Sequence, residues 1–153
     1  MKLKEIAEKL QLKVLTAKDK LDKEVSGGYT SDLLSDVIAN SQEGNLWITL
    51  QTHQNIVAVA KLKDLAGIII VNNRKPDEET LAKAKEENVP LLCSEEMAFE
   101  ISGKLYELIS QINLIDSCSD LLKRTCIFTR VFLPARNWIC LRRESSRQPR
   151  KKN

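Results

Sequence analysis

One run constrains this chain more than any other: Gly67-Ile68-Ile69-Ile70-Val71 contains no polar residue and is bounded by polar segments. Too short for a helix of ordinary length and rich in β-branched residues, it reads as a strand covered on both faces, the kind found inside a parallel sheet. Such a strand needs helices above and below it, and the flanking sequence offers them. Ile56, Val57, Ala60 and Leu62 precede it at helical spacing. Pro76, expected at a first helical position, and Asp77, Glu78 and Glu79 at the positive end of the dipole open a helix predicted to run to about Glu87.

The same alternation extends in both directions. Leu3, Ile6, Ala7 and Leu10 keep the i, i+3, i+4, i+7 spacing of an amphipathic helix, and Leu12, Val14 and Leu15 suggest a short strand. Glu24 to Ser26 is read as closing a second strand that Gly27-Gly28 breaks. Thr30 or Ser31 would cap a helix burying Leu33, Leu34, Val37 and Ile38, and Gly44-Asn45 ends that unit. Leu46 to Leu50 and Val89 to Cys93 are further strands. Ser94 is expected to cap a last helix with Met97, Ile101, Leu105 and Leu108 on one face. Strands separated by helices require crossover connections, so the predicted fold class is α/β, a mostly parallel sheet with helices on both faces.

Charge divides the chain in two. Residues 1–109 hold 14 basic and 18 acidic groups, a net −4, whereas residues 110–153 hold 10 and 3, a net +7, which together give the +3 of the whole. Arginine is confined to Arg74 before the break, where lysines number 13; after it arginine outnumbers lysine 7 to 3, and three of the four cysteines, Cys118, Cys126 and Cys140, lie there. The expectation is a single domain over residues 1–109 and an unrelated basic tail over 110–153, disordered or read out of frame. A Lys- and Glu-rich gene shifted by one base yields Arg and Ser codons. A nucleic-acid-binding arm built on Arg142-Arg143 and the residues from Arg147 to Lys152 is the lesser reading.

Several function classes are disfavoured. No apolar run approaches the roughly 18 residues of a membrane span, and the start lacks a signal peptide's apolar segment, so a cytoplasmic location is expected with no membrane partner. Cysteine spacings of 8 and 14 residues, with His53 the only histidine, match no zinc pattern, and no metal or other cofactor is expected. A phosphate-binding loop would need Gly six positions before the Lys of Gly103-Lys104, but Ala98 stands there and Leu105 replaces Ser/Thr. Nucleophilic catalysis would have to pair Cys93 or a serine with His53, a residue expected instead to orient its own loop. The chain is therefore not expected to be an enzyme.

Ligands of open α/β sheets lie beyond the carboxyl ends of the strands, where helix N-termini gather. Four loops are expected at that edge: Ser26 to Asp32, Thr49 to Asn55, Asn72 to Lys75, and Cys93 to Glu95. The candidate ligand-binding residues are Gly27, Gly28, Tyr29, Thr30 and Ser31 in the first loop and Thr49, Gln51, Thr52, His53 and Asn55 in the second. Glycines ahead of a helix let backbone N–H groups approach a phosphate or carboxylate. Tyr29 is read as a partly buried tyrosine or, in the lesser reading, as a residue that stacks on a base, while Trp47 and Phe99 are read as core or interface anchors and Cys93 as a small buried hydrophobe.

The strings Gly27 to Val37, Trp47 to Ala60 and Ala98 to Leu108 (GGYTSDLLSDV, WITLQTHQNIVAVA and AFEISGKLYEL) resemble a stand-alone DRTGG-domain protein, a family similar to the N-terminal domain of HPr kinase/phosphorylase. The resemblance spans residues 1 to about 109, although no Asp-Arg-Thr-Gly-Gly string occurs and Ser26-Gly27-Gly28 supplies only the glycine pair. Members accompany CBS domains or acyltransferase modules. What the resemblance implies is a non-catalytic regulatory module that binds a small anionic metabolite, a nucleotide among them, or a protein partner. The alternative is a structural module that forms a homodimer through apolar helices and binds no metabolite.

Overall fold

The computed structural model describes residues 1–110, and the readings of residues 111–153 lie outside them. The elements in order are α1 (Leu3–Lys9), β1 (Lys13–Val14), a 3-10 turn (Lys18–Lys20), β2 (Gly27–Thr30), α2 (Leu34–Asn40), β3 (Asn45–Thr49), α3 (Asn55–Leu62), β4 (Gly67–Ile70), α4 (Glu78–Glu86) and β5 (Leu91–Cys93). A last helix, α5, begins at 98 and is followed through 110. The five strands form one sheet in the order β1-β5-β4-β3-β2, all parallel except the antiparallel edge strand β1. The expected mostly parallel α/β architecture is therefore the observed one.

Strand periodicity explains the layers. In β4, Ile69 faces one side with Leu46, Ile48 and Leu92, where α1 supplies Leu3 and Ile6 and α5 supplies Ile101 and Leu105. Ile68 and Ile70 face the other side with Trp47 and Leu91, covered by Val37 of α2, Ile56, Val57 and Ala60 of α3, and Ala84 of α4. Every residue of β3 and β4 is buried, which is why these segments tolerate no charge. Each fully buried isoleucine of this sandwich contributes about 1.5–3 kcal/mol of transfer free energy.

Local departures from the sequence reading cluster around β2. Gly27-Gly28 does not break a strand; both glycines lie inside β2, and Glu24 forms only an isolated bridge to Lys2. Glycine disfavours strands, but here tertiary packing overrides propensity. A Cβ on Gly28 would sit 2.8 Å from Leu105 Cδ2, so the missing side chain lets α5 settle on the sheet. Neither Thr30 nor Ser31 caps α2. That helix starts at Leu34 behind Leu33, and Ser31 Oγ accepts the Leu33 N–H at 3.2 Å ahead of it. Of its predicted buried stripe only Val37 is fully buried, because α2 covers the outermost strand and has no neighbour on its far side; Leu33 and Ile38 are exposed.

Other boundaries shift by a residue or two. Asp77 occupies the N-cap of α4, so Pro76 precedes the helix rather than opening it. Ser94 Oγ accepts the N–H of Glu96 at 3.1 Å in the turn before α5; at the helix itself, Glu100 Oε2 takes the Met97 N–H at 3.2 Å. Met97 and Leu62 are exposed, against their expected places on buried faces; Phe99 is exposed, which removes the core alternative for it, while Trp47 is a core residue.

Candidate functional site

The carboxyl ends of β2, β3, β4 and β5 open onto one crest, and its geometry is set by cross-strand ties rather than by the glycines. Asp32, two residues past the end of β2, accepts the Thr49 hydroxyl at 2.8 Å and the Leu50 N–H at 2.7 Å on a single carboxylate oxygen. Thr49 Oγ1 in turn accepts the Gln51 N–H at 3.1 Å, and Gln51 Nε2 reaches back to the carbonyl of Asp32 at 3.4 Å. From the neighbouring strand, Val71 N–H donates to the Thr49 carbonyl at 3.1 Å, and Arg74 Nη1 donates to the Leu50 carbonyl at 3.2 Å. The Thr52 carbonyl accepts the Thr80 hydroxyl at 2.7 Å and the Asp77 N–H at 3.3 Å, fastening the same loop to the start of α4.

Sequence turns these loops sharply. Asn72 and Asn73 take consecutive left-handed conformations (φ 60° and 51°), a region asparagine tolerates better than most residues. Their N–H groups donate to the carbonyls of Glu96 and Ser94 at 2.9 Å each, and this brings the β4 loop against the β5 loop. Arg74 emerges from that turn exposed, and no carboxylate lies within ion-pair distance of it among the described residues.

The ten candidate residues divide accordingly. Ser31, Thr49, Gln51, Thr52, His53 and Asn55 lie at the crest or in the loops that form it, as anticipated. Thr52 does not cap α3: Gln54 holds the N-cap position without a side-chain bond. His53 Nδ1 accepts the Asn55 N–H at 3.4 Å, a contact within its own loop.

Gly27 and Gly28 sit at the amino end of β2, the wrong end of the strand for this crest. Tyr29 points to the α2 side, where its hydroxyl donates to Asp36 Oδ2 at 2.7 Å; that bond holds the tyrosine pKa above and the aspartate pKa below their ordinary values. Thr30 faces α5. Ser102 spends its one proton on the Ala98 carbonyl at 2.7 Å, so the Thr30 hydroxyl donates to Ser102 Oγ at 2.8 Å. The glycine pair and its two followers thus lie within β2 rather than in a loop at the crest.

Two residues outside the ten candidates organise the crest, Asp32 and Arg74. Both had a signal: Asp32 is the only ionisable group in the polar run after β2, and Arg74 is the only arginine before residue 110. Cys93 and His53 form no hydrogen bond with each other; the Cys93 thiol donates to the Arg74 carbonyl at 3.7 Å, and burial pushes its pKa up. The described residues contain no group of three His, Cys, Asp or Glu side chains able to hold a metal ion and no helix long and apolar enough to cross a membrane.

A parallel-sheet sandwich with a hydrogen-bonded polar crest defines the class, an α/β module built to present loops. Within that class the family is settled by residues 5–108, which match the DRTGG domain; the chain belongs to the DRTGG domain family. Among curated proteins no sequence matches it.

Among solved structures the chain is similar to the regulatory region of a Clostridium perfringens pyrophosphatase, composed of CBS and DRTGG domains and crystallised with its activator diadenosine tetraphosphate. The two share 16% identity at a TM-score of 0.52 over 68% of this chain. The chain spans 45% of that structure's length.

Proposed function

We propose that this chain is a non-catalytic regulatory module whose residues 1–109 bind a small anionic ligand of the nucleotide class on the carboxyl crest of the sheet, with residues 110–153 a separate tail. The observation that carries the reading is Arg74, tied to the Leu50 carbonyl through one nitrogen, with no carboxylate partner among the described residues and free donors on the rest of its guanidinium. Ser31, Gln51 and His53 add uncharged or titratable groups on the adjacent loops, and the start of α4 supplies a helix dipole behind them. Support for the ligand class comes from the similar pyrophosphatase region, in which a dinucleotide acts on an assembly of DRTGG and CBS domains.

Thermal unfolding of the purified chain in the presence of AMP, ATP and diadenosine tetraphosphate tests this. A ligand at 100 times its Kd should stabilise by about 2.7 kcal/mol. Arg74→Ala should weaken binding at least about tenfold, or 1.4 kcal/mol, while the free protein still unfolds cooperatively. Absence of any shift with all three compounds at millimolar concentration, or equal shifts in the parent and in Arg74→Ala, would count against the proposal. The first outcome would favour the metabolite-free interaction module.

A further inference from the structure

Asp32 and Arg74 grip opposite sides of one residue. The Asp32 carboxylate accepts the Leu50 N–H at 2.7 Å, and the Arg74 guanidinium donates to the Leu50 carbonyl at 3.2 Å. Leu50 is thus a spacer between opposite charges carried by the loops after β2 and β4, the strands on either side of β3. Bond lengths along a single residue keep the carboxylate oxygen and the guanidinium nitrogen within about 10 Å of each other. Among the described residues neither group forms an ion pair, with the other or with any further side chain.

Both groups keep bonding capacity in reserve. Asp32 accepts the Thr49 hydroxyl at 2.8 Å and the Leu50 N–H through the same atom, Oδ1, so Oδ2 meets no donor among the described residues. The residue is exposed, as is Arg74, whose remaining N–H groups are uncommitted. A plain anion suits only half of such a site, because its charge faces the carboxylate as well as the guanidinium. A molecule with an anionic group at one end and neutral hydroxyls at the other suits both halves, the hydroxyls donating charge-assisted bonds to the carboxylate.

We infer that Asp32 is the specificity-determining residue of the crest, its Oδ2 accepting a ribose hydroxyl of a ribonucleotide whose 5′-phosphate lies on Arg74. This rests on the nucleotide reading of the crest and narrows it to ligands with an intact ribose. A hydrogen bond at each end takes up about 2.8 Å, so the span between the two charges accommodates a sugar with its own phosphate and not a chain of phosphates. A carboxylate taking sugar hydroxyls beside a phosphate site is a solution other open parallel sheets use at their carboxyl edge.

Calorimetric titration of the full chain with AMP and with 2′,3′-dideoxy-AMP reads the hydroxyl contact in the parent, with no substitution required. AMP should bind at least about tenfold more tightly, since a site built to bond a hydroxyl rejects the analogue that lacks it. Asp32→Asn keeps an oxygen for the Thr49 hydroxyl and the Leu50 N–H while removing the charge, so its unfolding should stay cooperative. In that variant the preference for AMP should shrink to about twofold or less, with the dideoxy compound bound no more weakly than by the parent. A residue that merely held the loop would lower both affinities together. Equal affinities of the parent for the two compounds, or a preference that persists in Asp32→Asn, overturns the inference. So does failure to bind AMP where ATP or diadenosine tetraphosphate binds through Arg74, a result that leaves the nucleotide reading standing. Failure of all three to bind overturns both.

Discussion

The bond from Tyr29 to Asp36 shows how single residues around the sheet edge are committed. Asp36 accepts the tyrosine hydroxyl and the Asn40 side-chain amide, each at 2.7 Å, and these donors hold its carboxyl below the ordinary value of 3.8. A depressed carboxylate contributes stability that is present above the ordinary pKa and is lost as pH falls through the folded value. The Tyr29 hydroxyl, raised above its ordinary 10.0 chiefly by the same bond, contributes below that pH and ceases to do so as pH rises through its folded pKa. Tyr29→Phe should therefore lower stability most at neutral pH and least at both ends, flattening the profile, as read by urea unfolding across the range. An acid limb as steep in Tyr29→Phe as in the parent would show that Asp36 is held down by other groups. From sequence Tyr29 was legible only as an aromatic beside a glycine. That its partner lies seven residues on follows from the turn of chain between β2 and α2, which no local pattern encodes.

At the scale of elements, β2 and α5 are a matched pair. Leu105 is 2% exposed and packs where a Cβ on Gly28 would stand, so strand and helix approach each other only because position 28 is glycine. Gly28→Val should cost about 1–3 kcal/mol through overpacking. Leu105→Ala alone should cost about 2–5 kcal/mol through the cavity it leaves. Because one change supplies volume where the other removes it, the double variant should be more stable than the sum of the two predicts, a coupling that thermal denaturation of the four proteins measures. Strict additivity would mean that α5 does not bear on Gly28.

The same pair marks the limit of local reading. β3, β4 and β5 were legible because burial on both faces forbids polar residues, and α1, α3 and α4 because their apolar spacing is periodic. β2 was not, since its residues were selected by a helix some seventy positions later in the chain. Asp32 and Arg74 escaped notice for a related reason: each gains its role from carbonyl and amide groups on another strand, and single charges in loops carry no periodic signal.

For the molecule as a whole, the question is where the folding unit ends. Leu108 and Ile109 are the last side chains packed against the α1–α5 side of the core, and the family match closes at 108. The break in composition falls at the same place, from lysine-rich and acidic to arginine-rich and basic. A domain of this kind draws its stability from the two-sided burial of β3 and β4, which involves nothing beyond Ile109 among the described contacts. Deleting residues 111–153 should accordingly leave the unfolding free energy within about 1 kcal/mol of the parent, with the same cooperative transition. The change most exposed to contradiction is apolar: Leu121, Leu122, Ile127 and Phe132 would, if they packed on the domain, each be worth about 1.5–3 kcal/mol, and their loss would collapse the transition rather than shift it slightly. Chemical denaturation of the truncated and full chains, followed by tryptophan fluorescence, separates the two outcomes, because truncation leaves buried Trp47 as the only tryptophan and removes Trp138.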